Sequence, residues 1–437
     1  MKMFFAATAA TAALWCAAAV AAPHAFDAHD LVMLDRVSDP QLAAHATHVA
    51  YQLRETDYAA NKGRNSIWVL DLKERNARPL RLTDNGMSAT NPRWSADGAT
   101  VYFLAKGGDA MQVWSRRADG KSAAVRVTGL ALDVNNYKLS PDGKQILLSI
   151  DTFAQCAKET DPFACTKKRL DDTAANKASG KLFDKLFIRH WDTWADGRRS
   201  QLYIAAIGAD GKVEAPKLLS QGIDGDVPSK PFGDDSEYAF SADGRTVYFD
   251  VRIAGRSEPW STNFDIYSVP ADGSSAPKNL TVANLAWDAY PLPAADGKTL
   301  YYLAMKRPTF EADRFGIMAL DLASGQTREI DPQWDRSPGG LQLSKDGKTL
   351  YATTDDNGDH PLFAIDVKTG KATKLSGVGQ VEGFSVAGNA IVIARSTLKT
   401  PADLFALNAQ GGASTQLTHF NAARLADVAM GDYEFYT

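Results

Sequence analysis

Residues 137–150 read YKLSPDGKQILLSI, and nearly the same wording recurs as PRWSADGATVYFLA from Pro92, YAFSADGRTVYFDV from Tyr238, PLPAADGKTLYYLA from Pro291 and LQLSKDGKTLYATT from Leu341. Asp-Gly between two apolar stretches is a strong hairpin signal, because Gly accepts positive φ and Asp caps the turn through its own backbone. A second phrase follows each copy, as in SIWVLDLKER from Ser66, FDIYSVPADG from Phe264 and PLFAIDVKTG from Pro361. A third phrase closes each unit: PLRLTD, AVRVTG, PKLLSQ, PKNLTV, TREIDP, ATKLSG and STQLTH. Four short strands per unit is the arithmetic of a β-propeller blade.

Gly98, Gly143, Gly244, Gly297 and Gly347 end the Asp-Gly pairs, in steps of 45, 101, 53 and 50 residues. A blade of about 40 to 50 residues fits three steps, and the long one reads as a blade carrying an insertion. Two further units lack the Asp-Gly turn, one headed by DPQLAAHATHVAYQLRET from Asp39 and one by GFSVAGNAIVIARST from Gly383. The expectation is an all-β, seven-bladed propeller of four-stranded antiparallel blades, with a long insertion at about 151–190 in the third. That insertion is polar and Ala-rich in its middle, which predicts a short helix or ordered loop standing off the blade.

The 437 residues, 45% apolar and 23% charged, have an ordinary globular composition, and a formal charge of −4 offers no basic field to gather nucleic acid. Residues 1–22 combine Lys2, an apolar run and small residues before Pro23, the pattern of a cleaved signal peptide. Export to the periplasm or beyond follows, with no membrane association after cleavage. Cys16 would leave with the signal. Cys156 and Cys165 remain, and in an oxidising compartment the two are expected to form one local disulfide. Two thiols with no His in the loop do not make a metal site, and no cofactor is expected.

No Gly-x-Ser-x-Gly nucleophile elbow occurs anywhere in the chain. His45 and His48 are spaced like a helical metal pair, but they are expected in the first strand of a blade, on opposite faces. His360, in DDNGDHPLF, reads as a turn between strands. More informative is DVRIAGRSEPWSTNFDIY, Asp250 to Tyr267, which places Arg252, Arg256, Glu258, Trp260 and Asn263 on one connection. A carboxylate beside an aromatic ring suits a ligand amine, by charge and by the ring face. The bland alternative is an Arg–Glu pair on a solvated loop. Trp191 and Trp194, in IRHWDTWADGRR, form a second cluster, which could equally be packing of the insertion on its blade.

The SPDGK-type hairpins, RSEPWSTNFDIYSVP and RHWDTWADGRRSQLYIA resemble the amino-terminal propeller of secreted bacterial dipeptidyl peptidases and acylaminoacyl-peptidase-like members of the prolyl oligopeptidase family. The likeness spans about Ala25 to Thr437. It implies residues 23–420 as the propeller and 421–437 as the start of a linker toward an α/β-hydrolase domain bearing a Ser-His-Asp triad. No catalytic residue would then lie in this chain, which by itself is expected to be inactive. The propeller would restrict access to short peptides, and Glu258, with Trp260, Asn263 and Trp191, would help bind the substrate amino terminus. The competing expectation is a self-standing periplasmic propeller that binds or scaffolds.

Overall fold

The computed structural model describes residues 23–74, 77–183, 186–434 and 436; the signal-peptide expectation for residues 1–22, Cys16 included, lies outside them. Seven four-stranded sheets follow one another along the chain, each with its strands in antiparallel sequence order. The first blade is Arg36–Leu42, His48–Asp57, Lys62–Asp71 and Leu80–Arg81, and the seventh is Gln380–Ala387, Ala390–Thr397, Thr400–Asn408 and Thr415–Gln416. The first strand of each blade lies innermost and the fourth, two or three residues long, outermost. The expected fold is the observed one.

The recurring wording now has physical causes. In Ser95-Ala96-Asp97-Gly98, Gly98 adopts φ +68° and its N–H donates to the Ser95 carbonyl, while Ser95 Oγ accepts from the Thr100 N–H at 3.0 Å and donates to Asp97. The same bonds recur from Ser140, Ser241 and Ser344. The third phrase ends on a buried polar residue for a different reason. Thr83, Thr128, Ser220, Thr281, Asp331, Ser376 and Thr418 each accept the backbone N–H of the third strand in their own blade, at 2.9 to 3.2 Å. A buried N–H left unpaired there costs about 1–3 kcal/mol, so every blade carries the device.

Apolar side chains fill the wedges between blades. Leu104, Val113 and Val127 of the second blade meet Tyr137, Ile146, Leu148 and Tyr203 of the third. Each fully buried side chain of this size contributes roughly 1.5–3 kcal/mol. Among the described residues, no blade takes strands from both ends of the chain, and the first and seventh blades meet by packing. Val37, Val49, Tyr51 and Leu53 interleave with Val392, Ala394 and Leu404. The Asn421 side chain accepts the Asp35 N–H and donates to its carbonyl, at 2.8 and 2.9 Å, and His24–Ala25 runs parallel to Val428–Ala429.

Alternation of strands gives the ring two unlike faces. Connections from first to second and from third to fourth strands lie on one face, which we call the Asp-Gly face. Connections from second to third strands, and from each blade to the next, lie on the other. The chain enters its first inner strand and leaves its last outer strand on that second side, here termed the entry face.

Two expectations need correction. His45 lies in the turn after the first strand of blade one, and His48 opens the second strand, so neither belongs to the first. The connection in the third blade covers residues 154–197, because Asp151–Phe153 complete the second strand, and its helix does not stand off. Asp161 caps the helix Pro162–Ala175 by accepting the N–H groups of Phe163 and Ala164, with Pro162 at the first helical position. Phe163 is buried against Tyr203, Thr166 Oγ1 accepts the Phe153 N–H, and the Cys156–Cys165 disulfide staples the helix to the preceding turn. The expected pairing is present, and the apolar side of the helix joins the core. Lys167–Asp171 and Lys168–Asp172 pairs line its exposed side.

Candidate functional site

The Glu258 loop lies on the entry face, between Thr246–Arg252 and Phe264–Pro270 of the fourth blade, and folds as the 3-10 turn Gly255–Trp260. Pro259 inside the turn and Gly255 at φ +53° suit a tight connection. Glu258 is turned down toward blade three, with its side chain 15% exposed. Its two oxygens accept from Nη1 and Nη2 of Arg199, both at 2.9 Å, a bidentate pair. Arg199 is the second residue of the third strand of blade three, Arg198–Ala206, and also donates to Asp226 at 2.8 Å, while Asp226 accepts the Ser200 N–H.

The set widens from there. Lys230 reaches Asp151 at 2.7 Å and Asp226 at 3.9 Å; Arg252 lies 3.9 Å from Glu258, and Asp224 3.5 Å from Arg199. Three cations face four carboxylates, leaving one negative charge in excess. The hydrogen bonds that Arg199 donates to Glu258, with Asp226 behind them, raise its guanidinium above its ordinary value. Burial pushes the Asp226 carboxyl up, against the pull of Lys230 and Arg199. Arg252 lies over the Phe264 ring, which stacks on Trp287.

The proposed site residues are dispersed around this set. Trp260 closes the same turn and is 62% exposed. Asn263 is engaged elsewhere: with its amide nitrogen turned inward, it donates to the carbonyls of Asn284 and Ala286 at 3.1 and 3.2 Å. Trp191 is 77% exposed at the tip of the hairpin Arg189–His190 and Thr193–Trp194, at φ +52°, a conformation bulky residues rarely adopt. Arg189 lies over Trp194, and His190 contacts Phe187 and Phe232 edge-on. Arg256, expected among the loop's charges, takes no part in the Glu258 pairs, and Arg199, which sequence reading passed over, is the centre of the set. The only signal was its place in the Trp-rich wording, two residues after Gly197. His360 sits in a turn beside Asp355, at 2.8 Å, and among the described residues no cluster of three or more potential ligands could hold a metal.

Around the set, the entry face is apolar. Among the described residues, the exposed large apolar side chains include Leu182, Trp191, Trp194, Phe232, Ile253, Trp260, Val282, Leu285 and Phe310, over blades three to five. Tyr58 and Leu398 lie in second-to-third-strand connections and Val378 in the passage from blade six to seven, also on this face, whereas Leu80 and Val125 lie on outermost strands. Exposed apolar side chains gathered on one side of a ring point to an interaction site. No helix among the described residues is long and apolar enough to cross a membrane.

No protein-family model matches the chain. Dipeptidyl-peptidase 5 of Porphyromonas gingivalis is 26% identical over 395 residues, covering 90% of this chain and 55% of that protein. An acylaminoacyl peptidase in complex with Z-Gly-Gly-Phe-chloromethyl ketone superposes with a TM-score of 0.65 at 16% identity, over 91% of this chain and 55% of that one. The β-propeller domain of the Trilobed protease from Pyrococcus furiosus, described as having an open velcro topology, superposes at 0.56 and 17% identity, over 89% and 97% of the two chains. The chain spans about half the length of the curated relatives it matches. The chain is a seven-bladed propeller similar in sequence to part of dipeptidyl-peptidase 5 and similar in fold to the propeller of an acylaminoacyl peptidase.

Proposed function

We propose that this propeller is the gating part of an exported serine exopeptidase of the dipeptidyl peptidase type, with bond cleavage carried out by an α/β-hydrolase portion docked on the entry face. The observation that carries the reading is the segregation of exposed apolar side chains to that face, where the chain also enters and leaves the ring. A hydrolase portion seated there would cover them, and peptides would have to be short to reach the enclosed space. The Cys156–Cys165 disulfide supports an oxidising compartment.

The substrate amino terminus would be held beside Glu258. A protonated amine brings one positive charge to a set with one negative charge in excess, and the exposed Trp260 ring offers a second, cation-binding surface. Arg199 keeps the Glu258 carboxylate oriented without cancelling the whole charge of the set. The experiment is titration calorimetry of the full chain with a dipeptide amide and with its N-acetylated form. The free amine is expected to bind at least about tenfold more tightly, a difference of about 1.4 kcal/mol, and Glu258→Gln to abolish the preference. Equal binding of the two ligands would remove the anchoring role. Cleavage of dipeptidyl chromogenic substrates by this chain, blocked by a serine-directed inhibitor, would overturn the assignment of catalysis to another portion.

A further inference from the structure

Arg93, on the inner strand Ala89–Trp94 of blade two, reaches across the bore of the ring. Its Nη1 donates to Asp39 of blade one at 2.8 Å, and its Nε and Nη2 donate to the Asp235 carboxylate at 2.9 to 3.1 Å. Asp235 belongs to the 3-10 turn Asp235–Glu237 that leads into the inner strand of blade four, so this pair steps past blade three. Blade three adds Lys138, whose Nζ donates to the main-chain oxygens of Asp235 and Tyr238. One turn therefore ties four inner strands together. A cavity of about 320 Å³ opens beside the network, walled by Asp39, Gln52, Asn91, Arg93 and Phe384 among others.

The same turn carries Glu237, which is buried and hydrogen-bonded to the fully buried Asp250 of the second strand in blade four. Glu237 also accepts the N–H and the hydroxyl of Ser229, at 2.6 and 2.8 Å. Asp250 accepts the N–H of Tyr290 at 2.8 Å, and Tyr290 is held at φ +59° on the bulged inner strand of blade five. Two carboxyls in hydrogen-bond contact inside a protein cannot both ionise cheaply, so one proton stays between them. Burial pushes both up, Asp250 further through the facing Glu237. The other charged group acting on the pair is Asp234, a third acid, and Tyr290 stays neutral because burial raises its phenol to about 12. Lys138 and Arg93, the cations that donate to the turn, hold the Asp235 carboxyl below its ordinary value against its burial.

We propose that the proton shared by Glu237 and Asp250 controls the Arg93 latch: while it is held, the turn carries Asp235 to Arg93 and the four inner strands stay tied, and when it is lost, repulsion displaces the turn and releases them. The inference stands apart from the peptidase reading, since it concerns the ring alone.

The test is amide hydrogen exchange of the full chain, read in peptides covering residues 234–238 and 91–94. It runs from about pH 5 to about pH 9, the range in which buried carboxyls titrate, with each rate divided by that of the unfolded chain at the same pH. Protection of both segments is expected to fall at least about tenfold with rising pH, the effect of one proton over one pH unit. Asp250→Asn is expected to stay protected throughout, and Arg93→Gln to expose both segments already at the acid end. Should Asp250→Asn fail to fold, Glu237→Gln neutralises the other member and serves the same purpose. Parallel curves for the wild type and the neutralised variant, or protection that rises with pH, would overturn the proposal.

Discussion

The two faces of the ring are built from the same strands and differ in almost every other respect. On the Asp-Gly face, the turn between first and second strands is five residues long in six of the seven blades. On the entry face, the turn between second and third strands ranges from two residues in blades two and seven to 44 in blade three. One face satisfies its backbone locally through Ser and Asp side chains and, among the described residues, has only Leu80 and Val125 as exposed large apolar groups next to its connections. The other exposes Trp191, Phe232 and Trp260 and buries charge beneath them. A ring of repeats constrains the turns only where they must be short, so function collects where length is free.

The largest expected effect lies at the entry face and concerns pH. Asp288 opens the inner strand of blade five, where burial pushes its carboxyl up to about 7. One oxygen accepts from Asn284 at 2.7 Å, and the other is buried without a hydrogen bond among the described residues. A carboxyl raised on folding stabilises the native state fully below its unfolded value near 4 and loses that contribution as pH climbs toward 7. At about 1.4 kcal/mol for each unit, the loss amounts to about 4 kcal/mol. Asp288→Asn should flatten the urea-unfolding stability between about pH 4 and about pH 8 by roughly that amount. A profile as steep as that of the wild type would show that Asp288 ionises freely and that the entry face is wetter than its burial implies.

A second way to sharpen the contrast is to remove Arg199. Glu258 and Asp226, both mostly buried, would then lose their bidentate and single bonds together. Breaking a buried pair from one side costs about 3–5 kcal/mol, and the lower figure applies because Arg199 keeps a quarter of its surface in water. Arg199→Ala should therefore cost about 3 kcal/mol in urea unfolding, and adding Glu258→Ala should recover part of it. A loss below about 1 kcal/mol, typical of a surface pair, would return the set to ordinary surface chemistry.

These residues also mark where reading the sequence ran out. The seven blades were legible because each Asp-Gly turn and each closing Ser or Thr answers a local backbone demand, and local demands leave local words. The disulfide was legible for the same reason, its cysteines being nine residues apart. The partner of Glu258 is 59 residues away, and Asp235 lies 142 residues from Arg93. Such pairs depend on which blades are neighbours and how their connections lean, and nothing in either segment specifies that. The helix expected to stand off the third blade packs because Phe163 finds the Tyr203 ring and Thr166 accepts the Phe153 N–H, which a polar average conceals.

The smallest effects test whether the two faces really use separate devices. Asp331 takes the place that Thr or Ser holds in the other six blades: one oxygen accepts the Ile317 N–H, and the other is buried without a partner. Asp331→Thr keeps the acceptor, removes the orphaned oxygen, and should stabilise the chain by about 1 kcal/mol. On the opposite face, Ser344 makes the equivalent bonds to Thr349 and Asp346 in an exposed turn. Ser344→Ala should cost no more than about 0.5 kcal/mol, because water replaces the lost hydroxyl. Equal and opposite shifts in the unfolding midpoint would mean that solvent protects neither face, and the asymmetry would then rest on connection length alone.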